Sequence, residues 1–313
     1  MIPTAKRIYG LIGYPVTHSL SALMHNAAFA RLAIPAEYRL FEIAPQDLEA
    51  FLLKDIIVKD TRGQACSSLD IAGFNVTIPH KIKTNEILGK MFPLSSDPGL
   101  IQQDAYFVKL TGAVNTVKRE KSGLRYWNTD AAGFLRSLQE DLQFEPKQKK
   151  VLVIGCGGAG RAVIAALSWK SVSVDTIYVY DSSEAAVRSA GKYFQQFSHL
   201  SEKLRFITKT QIPEIIGGCH LLVNASSAGM KENDTPVIEK KLLEKNRALC
   251  VYDVVYNRTT RLLEDARGLG LRAAGGLGML LYQGAFAFEL WMEGRSAPIN
   301  EMKEALKKGV MTL

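Results

Sequence analysis

Apolar and polar residues follow two periods along the 313 residues, and the polar positions that interrupt each pattern mark the candidate chemistry. From Gly73 to Lys81 the chain alternates as a strand does. Phe74, Val76 and Ile78 fall on one face, Asn75 and Thr77 on the other. Pro79 ends the strand and leaves Lys81 just beyond it, so an amide, a hydroxyl and an ammonium group can converge on one side of a sheet. Between His18 and Arg31 the period becomes helical: Leu20, Leu23, Met24, Ala27, Ala28 and Arg31 share a spacing, with the apolar members on one stripe. Ser19 stands where an N-cap would stand and Ser21 lies in the first turn. A second helix is expected after Asp130, from Ala131 to Leu138. The run Leu277–Trp291 is apolar enough for a buried helix, with Met279 and Gln283 four residues apart on one face.

The middle of the chain has a different rhythm. A basic lead-in, Lys147–Lys150, precedes the apolar strand Val151–Ile154 and the glycine-rich loop Gly155-Cys156-Gly157-Gly158-Ala159-Gly160. A helical run, Arg161–Trp169, and a second strand, Thr176–Tyr180, follow. This is G-x-G-x-x-G in strand–loop–helix context, the arrangement that brings backbone N–H groups to a pyrophosphate. Asp181 ends the second strand, 21 residues beyond Gly160, close to the spacing of an acid that binds an adenosine ribose. A carboxylate there would bond ribose hydroxyls and repel a 2′-phosphate. NAD is therefore the expected dinucleotide, with NADP the lesser alternative through Arg188.

Taken singly, these signals have structural readings as well. The alternating strand could be a solvated edge, Ser19 an ordinary cap, Asp130 an N-cap, and Asp181 the cap of a helix starting near Ser182. A helix start with two hydroxyls and free N–H groups also suits a carboxylate. Gln283 needs partners wherever it is buried, from the backbone or from a ligand.

Together the segments resemble the shikimate dehydrogenase family, which includes the quinate/shikimate dehydrogenases. The resemblance runs from Gly10-Leu-Ile-Gly-Tyr-Pro-Val-Thr-His-Ser-Leu-Ser21 through Gly112-Ala-Val-Asn-Thr116 and Asn128-Thr-Asp130 to Gln283-Gly-Ala-Phe-Ala-Phe-Glu-Leu-Trp291. It implies a hydride-transfer enzyme with Lys81 and Asp130 as the catalytic pair. It implies substrate contacts from Ser19, Ser21, Asn75, Thr77, Asn115, Tyr256 and Gln283. Gly155, Gly157, Gly158, Ala159, Gly160 and Asp181 would meet the dinucleotide, with Asn224 and Ser226 of a small-residue loop, Val254, Gly276 and Met279. His80 is a tempting catalyst beside Lys81, but the resemblance favours the lysine. The implied substrates are shikimate and 3-dehydroshikimate, with quinate a further candidate. A non-catalytic family member that binds substrate or dinucleotide as a regulator is the alternative.

The architecture implied is α/β. Residues 1–130 with 276–313 would form an N-terminal α/β substrate domain with a largely parallel mixed sheet. Residues 131–275 would form a Rossmann, doubly wound dinucleotide-binding domain. The segments Lys54–Asp70 and Phe92–Tyr106 look longer than compact family members need, and Gly160 stands where alanine or serine is usual.

Composition changes this picture little. Hydrophobic residues make up 47% and charged residues 22%, as in an ordinary globular protein. The net charge of +8 is scattered and no nucleic-acid motif accompanies it, so small anions rather than nucleic acid are the expected partners. The four cysteines have no paired spacing and the five histidines no ligand spacing, so no metal is expected. No signal-peptide core and no membrane span are read, which makes the cytoplasm the expected location. Monomer and homodimer both remain open.

Overall fold

A computed structural model describes residues 6–94 and 103–311. The chain divides into two compact units, one up to Thr129 and from Leu281 onward, the other Asp130–Leu280.

The first unit is built from β1 (Arg7–Gly13), α1 (Ser21–Arg31), β2 (Ala36–Glu42), α2 (Leu48–Leu53), β3 (Ile57–Lys59), β4 (Ala65–Ser67), β5 (Ile71–Val76), α3 (Lys81–Met91), α4 (Gln103–Thr111), β6 (Thr116–Glu120) and β7 (Gly123–Trp127). Its five-stranded sheet has the order β2-β1-β5-β6-β7. β1 runs parallel to β2 and β5, while β5–β6 and β6–β7 are antiparallel, so the sheet is mixed with half its pairings parallel. On one side Phe41, Phe51, Phe74, Leu88 and Val117 are closed off from solvent, with Phe51 edge-on to Phe74 at 5.2 Å. Each such ring contributes about 1.5–3 kcal/mol by leaving water. The other side holds an aromatic cluster of Tyr9, His25, Phe29, Tyr38 and Trp291. The long segment near Lys54–Asp70 forms the β3–β4 hairpin, whose turn meets β2 through Thr61 N–H to Leu40 O. Part of the Phe92–Tyr106 segment lies outside the described residues.

The chain leaves the first unit through α5 (Thr129–Glu140). The second unit continues with β8 (Lys150–Ile154), α6 (Gly158–Leu167), β9 (Thr176–Tyr180), α7 (Glu184–Phe194), β10 (Leu204–Phe206), α8 (Ile212–Ile215), β11 (Leu221–Asn224), α9 (Lys240–Leu243), β12 (Cys250–Asp253), α10 (Arg261–Gly268) and β13 (Ala273–Gly275). Its sheet order is β10-β9-β8-β11-β12-β13, parallel throughout. Renumbered within the sheet this is 3-2-1-4-5-6, the doubly wound dinucleotide-binding order, with its switch point between β8 and β11. Leu152, Leu222, Val251, Leu243 and Leu262 fill the core on one side. The chain returns through α11 (Leu277–Trp291) to the first unit, where α12 (Ile299–Val310) packs on α1.

Several local expectations shift by a residue or more. The alternating strand stops at Val76, so Ile78 leaves the face it was expected to share and is 74% exposed. Leu20, not Ser19, takes the N-cap position of α1, although the Ser19 hydroxyl still accepts the Ser21 N–H. Asp130 lies in the first turn of α5 rather than before it. No helix among the described residues is long and apolar enough to cross a membrane.

Candidate active site

In the first unit, buried polar side chains gather most of the residues singled out for substrate. Ser19 Oγ donates to Ser21 Oγ at 3.2 Å, and the Ser21 hydroxyl offsets part of the burial that raises the pKa of the Tyr38 phenol. Tyr38 in turn donates to Asn75 Oδ1 at 2.8 Å. Asn75 Nδ2 donates to Asn115 O and Thr116 Oγ1. Asn115 Oδ1 accepts the Thr129 N–H at 2.7 Å, and its Nδ2 donates to Thr129 Oγ1 and to Gln283 Oε1. Three of the seven proposed substrate residues, Asn75, Asn115 and Gln283, are thus tied together across β5, the β6 approach and α11, and Ser19 and Ser21 form a bonded pair at the start of α1. Burying this many amides and hydroxyls is tolerable only because they satisfy one another.

Lys81 opens α3, immediately after the Thr77–His80 turn. Its carbonyl accepts the Val114 N–H at 3.0 Å, which fixes the lysine's backbone to the segment carrying Asn115. His80 is buried and donates through Nε2 to Ile43 O at 2.7 Å, so it anchors the start of α3. Thr77 is half-buried; its N–H donates to Ile12 O and its methyl fits only because residue 13 is glycine.

The second unit carries the remaining candidates. Gly155 has φ of +97°, and a Cβ there would lie 2.8 Å from the Ala225 carbonyl carbon. A Cβ on Gly160 would sit 2.1 Å from Gly155 O. The usual alanine or serine is therefore excluded from this loop as it is folded. Gly157 and Gly158 are exposed, and a Cβ on either would meet only open space. Two glycines thus serve the fold and two leave room for something else at the start of α6. That division fits a pyrophosphate approaching bare backbone N–H groups. Burial, with Asp181 alongside, pushes the Cys156 thiol up to about 12, which keeps it an unreactive filler.

Asn224 and Ser226 hold their own loop. Asn224 Oδ1 accepts from Ser226 N–H and Oγ, and its Nδ2 donates to Ala228 O and to Asp253 Oδ1. Asp253, fully enclosed, also accepts from Val255 N–H and Thr260 Oγ1. Burial outweighs those bonds and raises its pKa. Val254 N–H donates to Asn224 O, and Gly276 is packed so closely on Val254 O that no side chain fits. Met279 is half-buried in the first turn of α11, and Tyr256 is 36% exposed. Among the described residues no group of His, Cys, Asp and Glu could hold a metal ion.

Tyr38, Thr116 and Thr129 were not foreseen as parts of the site. Thr116 and Thr129 lie inside motifs already singled out, but Tyr38 has no local signal at all.

Comparison with known proteins places these features. Residues 11–97 match the shikimate dehydrogenase substrate binding domain, and 276–307 the shikimate 5′-dehydrogenase C-terminal domain. A shikimate dehydrogenase (NADP(+)) of Methanopyrus kandleri is 36% identical over 308 residues, covering 97% of this chain and 96% of that one. One from Geobacillus kaustophilus is 35% identical over 305 residues, covering 96% and 97%. A crystal structure of a shikimate dehydrogenase in complex with NADP+ superposes with a TM-score of 0.77 at 30% identity, covering 97% and 96%.

These relatives overturn the expectation that NAD is the main dinucleotide, because they are named for NADP(+) or hold it. The geometry of Asp181 gives a physical reason. Its Oδ2 accepts the Cys156 N–H at 2.9 Å and its Oδ1 the Ser183 N–H at 2.8 Å. The carboxylate is engaged with backbone N–H groups, while the cap of α7 is Ser183, whose hydroxyl accepts the Ala186 N–H. Through these matches, which span almost the whole chain, it belongs to the shikimate dehydrogenase family of oxidoreductases.

Proposed function

We propose that this chain catalyses the reversible reduction of 3-dehydroshikimate to shikimate with NADP(H). The observation that carries the reading is the bonded network of Asn75, Asn115 and Gln283 with the bonded Ser19–Ser21 pair at the start of α1, a set suited to ordering groups around a small polyhydroxylated carboxylate. The names of relatives at 35–36% identity support the same substrate and dinucleotide. When bound, the nicotinamide supplies or accepts the hydride at one ring carbon.

The rest falls to the protein. Ser19 and Ser21, at the start of α1, hold the substrate carboxylate where the helix N–H groups favour negative charge. Thr77, Asn115 and Gln283 orient the ring hydroxyls, and Asn75 supports them. Lys81 delivers a proton to the carbonyl oxygen as charge develops there, and removes it in the reverse direction. Asp130 is assigned to steadying the ammonium group and Tyr256 to a further substrate contact. In the second unit, Gly155, Gly157, Gly158, Ala159 and Gly160 receive the pyrophosphate. Asn224, Ser226 and Val254 shape the wall along the dinucleotide, and Gly276 and Met279 lie beside the nicotinamide.

The test is steady-state oxidation of shikimate with NADP, following reduced nicotinamide, with quinate in a parallel arm. Turnover of shikimate supports the reading, and turnover of quinate extends it to a saturated ring with an added hydroxyl. A folded protein that binds NADP yet turns over neither compound refutes it.

A further inference from the structure

We infer that Tyr38 is a positioning residue of the substrate site, its hydroxyl fixing the Asn75 amide of β5 in one orientation. The inference rests on the substrate reading above and adds a residue to it.

The ring is held on every side. Asn26, on α1, clamps the Tyr38 backbone twice: its Nδ2 donates to Tyr38 O at 2.9 Å and its Oδ1 accepts the Tyr38 N–H at 2.8 Å. His25 stacks on the phenol with centroids 4.4 Å apart and planes 10° from parallel. Trp291 closes a further side at 6.1 Å, itself pinned by Nε1–H to Val117 O. His25 is wholly enclosed and neither of its nitrogens has a hydrogen-bond partner, so it acts as a flat neutral spacer.

Packing alone would be met by phenylalanine. The hydroxyl is what needs explaining, because a buried phenol oxygen must find polar company. It finds Asn75 Oδ1, to which it donates at 2.8 Å from a different element. Burial keeps the phenol protonated, so the proton it gives Asn75 stays in place. That bond also fixes which end of the Asn75 amide faces which way. With Oδ1 toward Tyr38, Nδ2 must face Asn115 O and Thr116 Oγ1. Without it, the amide could turn while the core stayed filled. Tyr38 thus acts on the substrate through Asn75 without needing to touch it.

The experiment is steady-state kinetics of the full chain with shikimate and NADP, comparing wild type, Tyr38→Phe, Asn75→Ala and the double variant. Tyr38→Phe is expected to raise KM for shikimate ~10-fold, the equivalent of one well-placed hydrogen bond. Its kcat and its KM for NADP should stay within ~2-fold. Because Tyr38 acts through Asn75, the double variant should lose much less than the product of the single losses. A role confined to stability would lower the melting temperature without this split. An unchanged KM for shikimate, fully multiplicative losses, or a Tyr38→Phe chain that has lost its circular dichroism would each overturn the inference. A wild-type chain that does not turn over shikimate fails at the level of the substrate reading and removes the inference with it.

Discussion

Lowering the pH from 7.5 to 5.0 is expected to cost the first unit about 2 kcal/mol through His25 alone. The imidazole is fully buried, and burial pulls its pKa from 6.5 down to about 3, against a weaker upward pull from Asn75. In the folded chain it is therefore neutral at both pH values. The unfolded chain takes up a proton as the pH falls through about 6.5. Stability from this group is thus complete above that value and is lost progressively on acidification until the folded form also protonates near 3. At pH 5.0 the unfolded imidazole is about 1.5 units below its own pKa, and 1.36 kcal/mol per unit gives about 2 kcal/mol. The rings packed against it, Tyr38 and Trp291, carry no charge in this range. Urea unfolding followed by tryptophan fluorescence measures the effect. A Trp169→Phe background leaves Trp127 and Trp291, both in the first unit, as reporters. In that background His25→Leu removes the titrating group, so its loss between the two pH values should be smaller by about 2 kcal/mol. Equal losses with and without His25 would refute the reasoning.

The other expectations concern the two halves of the site and the core. Lys81→Met should lower turnover ~100-fold while leaving the Kd for NADP within ~2-fold, and near-normal turnover would remove the lysine from the chemistry. Gly157→Ala should leave the melting temperature unchanged, since a Cβ there meets nothing, yet weaken NADP binding ~10-fold in a fluorescence titration. Gly160→Ala should do the opposite first, lowering the melting temperature because its Cβ would lie 2.1 Å from Gly155 O; the reverse pattern would contradict both assignments. Arg119 donates to Phe51 O and Leu52 O at the end of α2, and burial lowers its pKa to about 10. Arg119→Met should cost about 2 kcal/mol in urea unfolding, and a loss below about 0.5 kcal/mol would show that those bonds count for little.

Much of the second unit was legible because its signals are local. The strands at Val151–Ile154 and Thr176–Tyr180 fall where continuous apolar runs placed them. The glycine loop announces itself because a turn that tight admits few residues. What was misread depended on partners far away in sequence. Asp181 could be a ribose acid or a cap on spacing alone; in the fold it accepts from the backbone of Cys156 and Ser183, and Ser183 is the cap. Ile78 fits an alternating pattern, but the ladder ends at Val76 and alternation cannot report where pairing stops. His80, tempting beside Lys81, is occupied by Ile43 O, 37 residues away in the chain. Tyr38 was invisible for the same reason: its meaning comes from Asn75, far outside a helical turn of it.

The β3–β4 hairpin bears on how this chain behaves in a crowd. A sheet that ends in a bare strand offers its unpaired N–H and C=O groups to any other strand, including those of a neighbouring copy during refolding. Along β2 the hairpin turn already takes up Leu40 O, and Arg39, Glu37, Asp60 and Arg62 set charge around the join. At the far edge, β7 carries Arg125 next to Glu120. The hairpin between Lys54 and Asp70 therefore partly covers this edge against strand addition, and shortening it to a tight connection would leave more of β2 open to another strand.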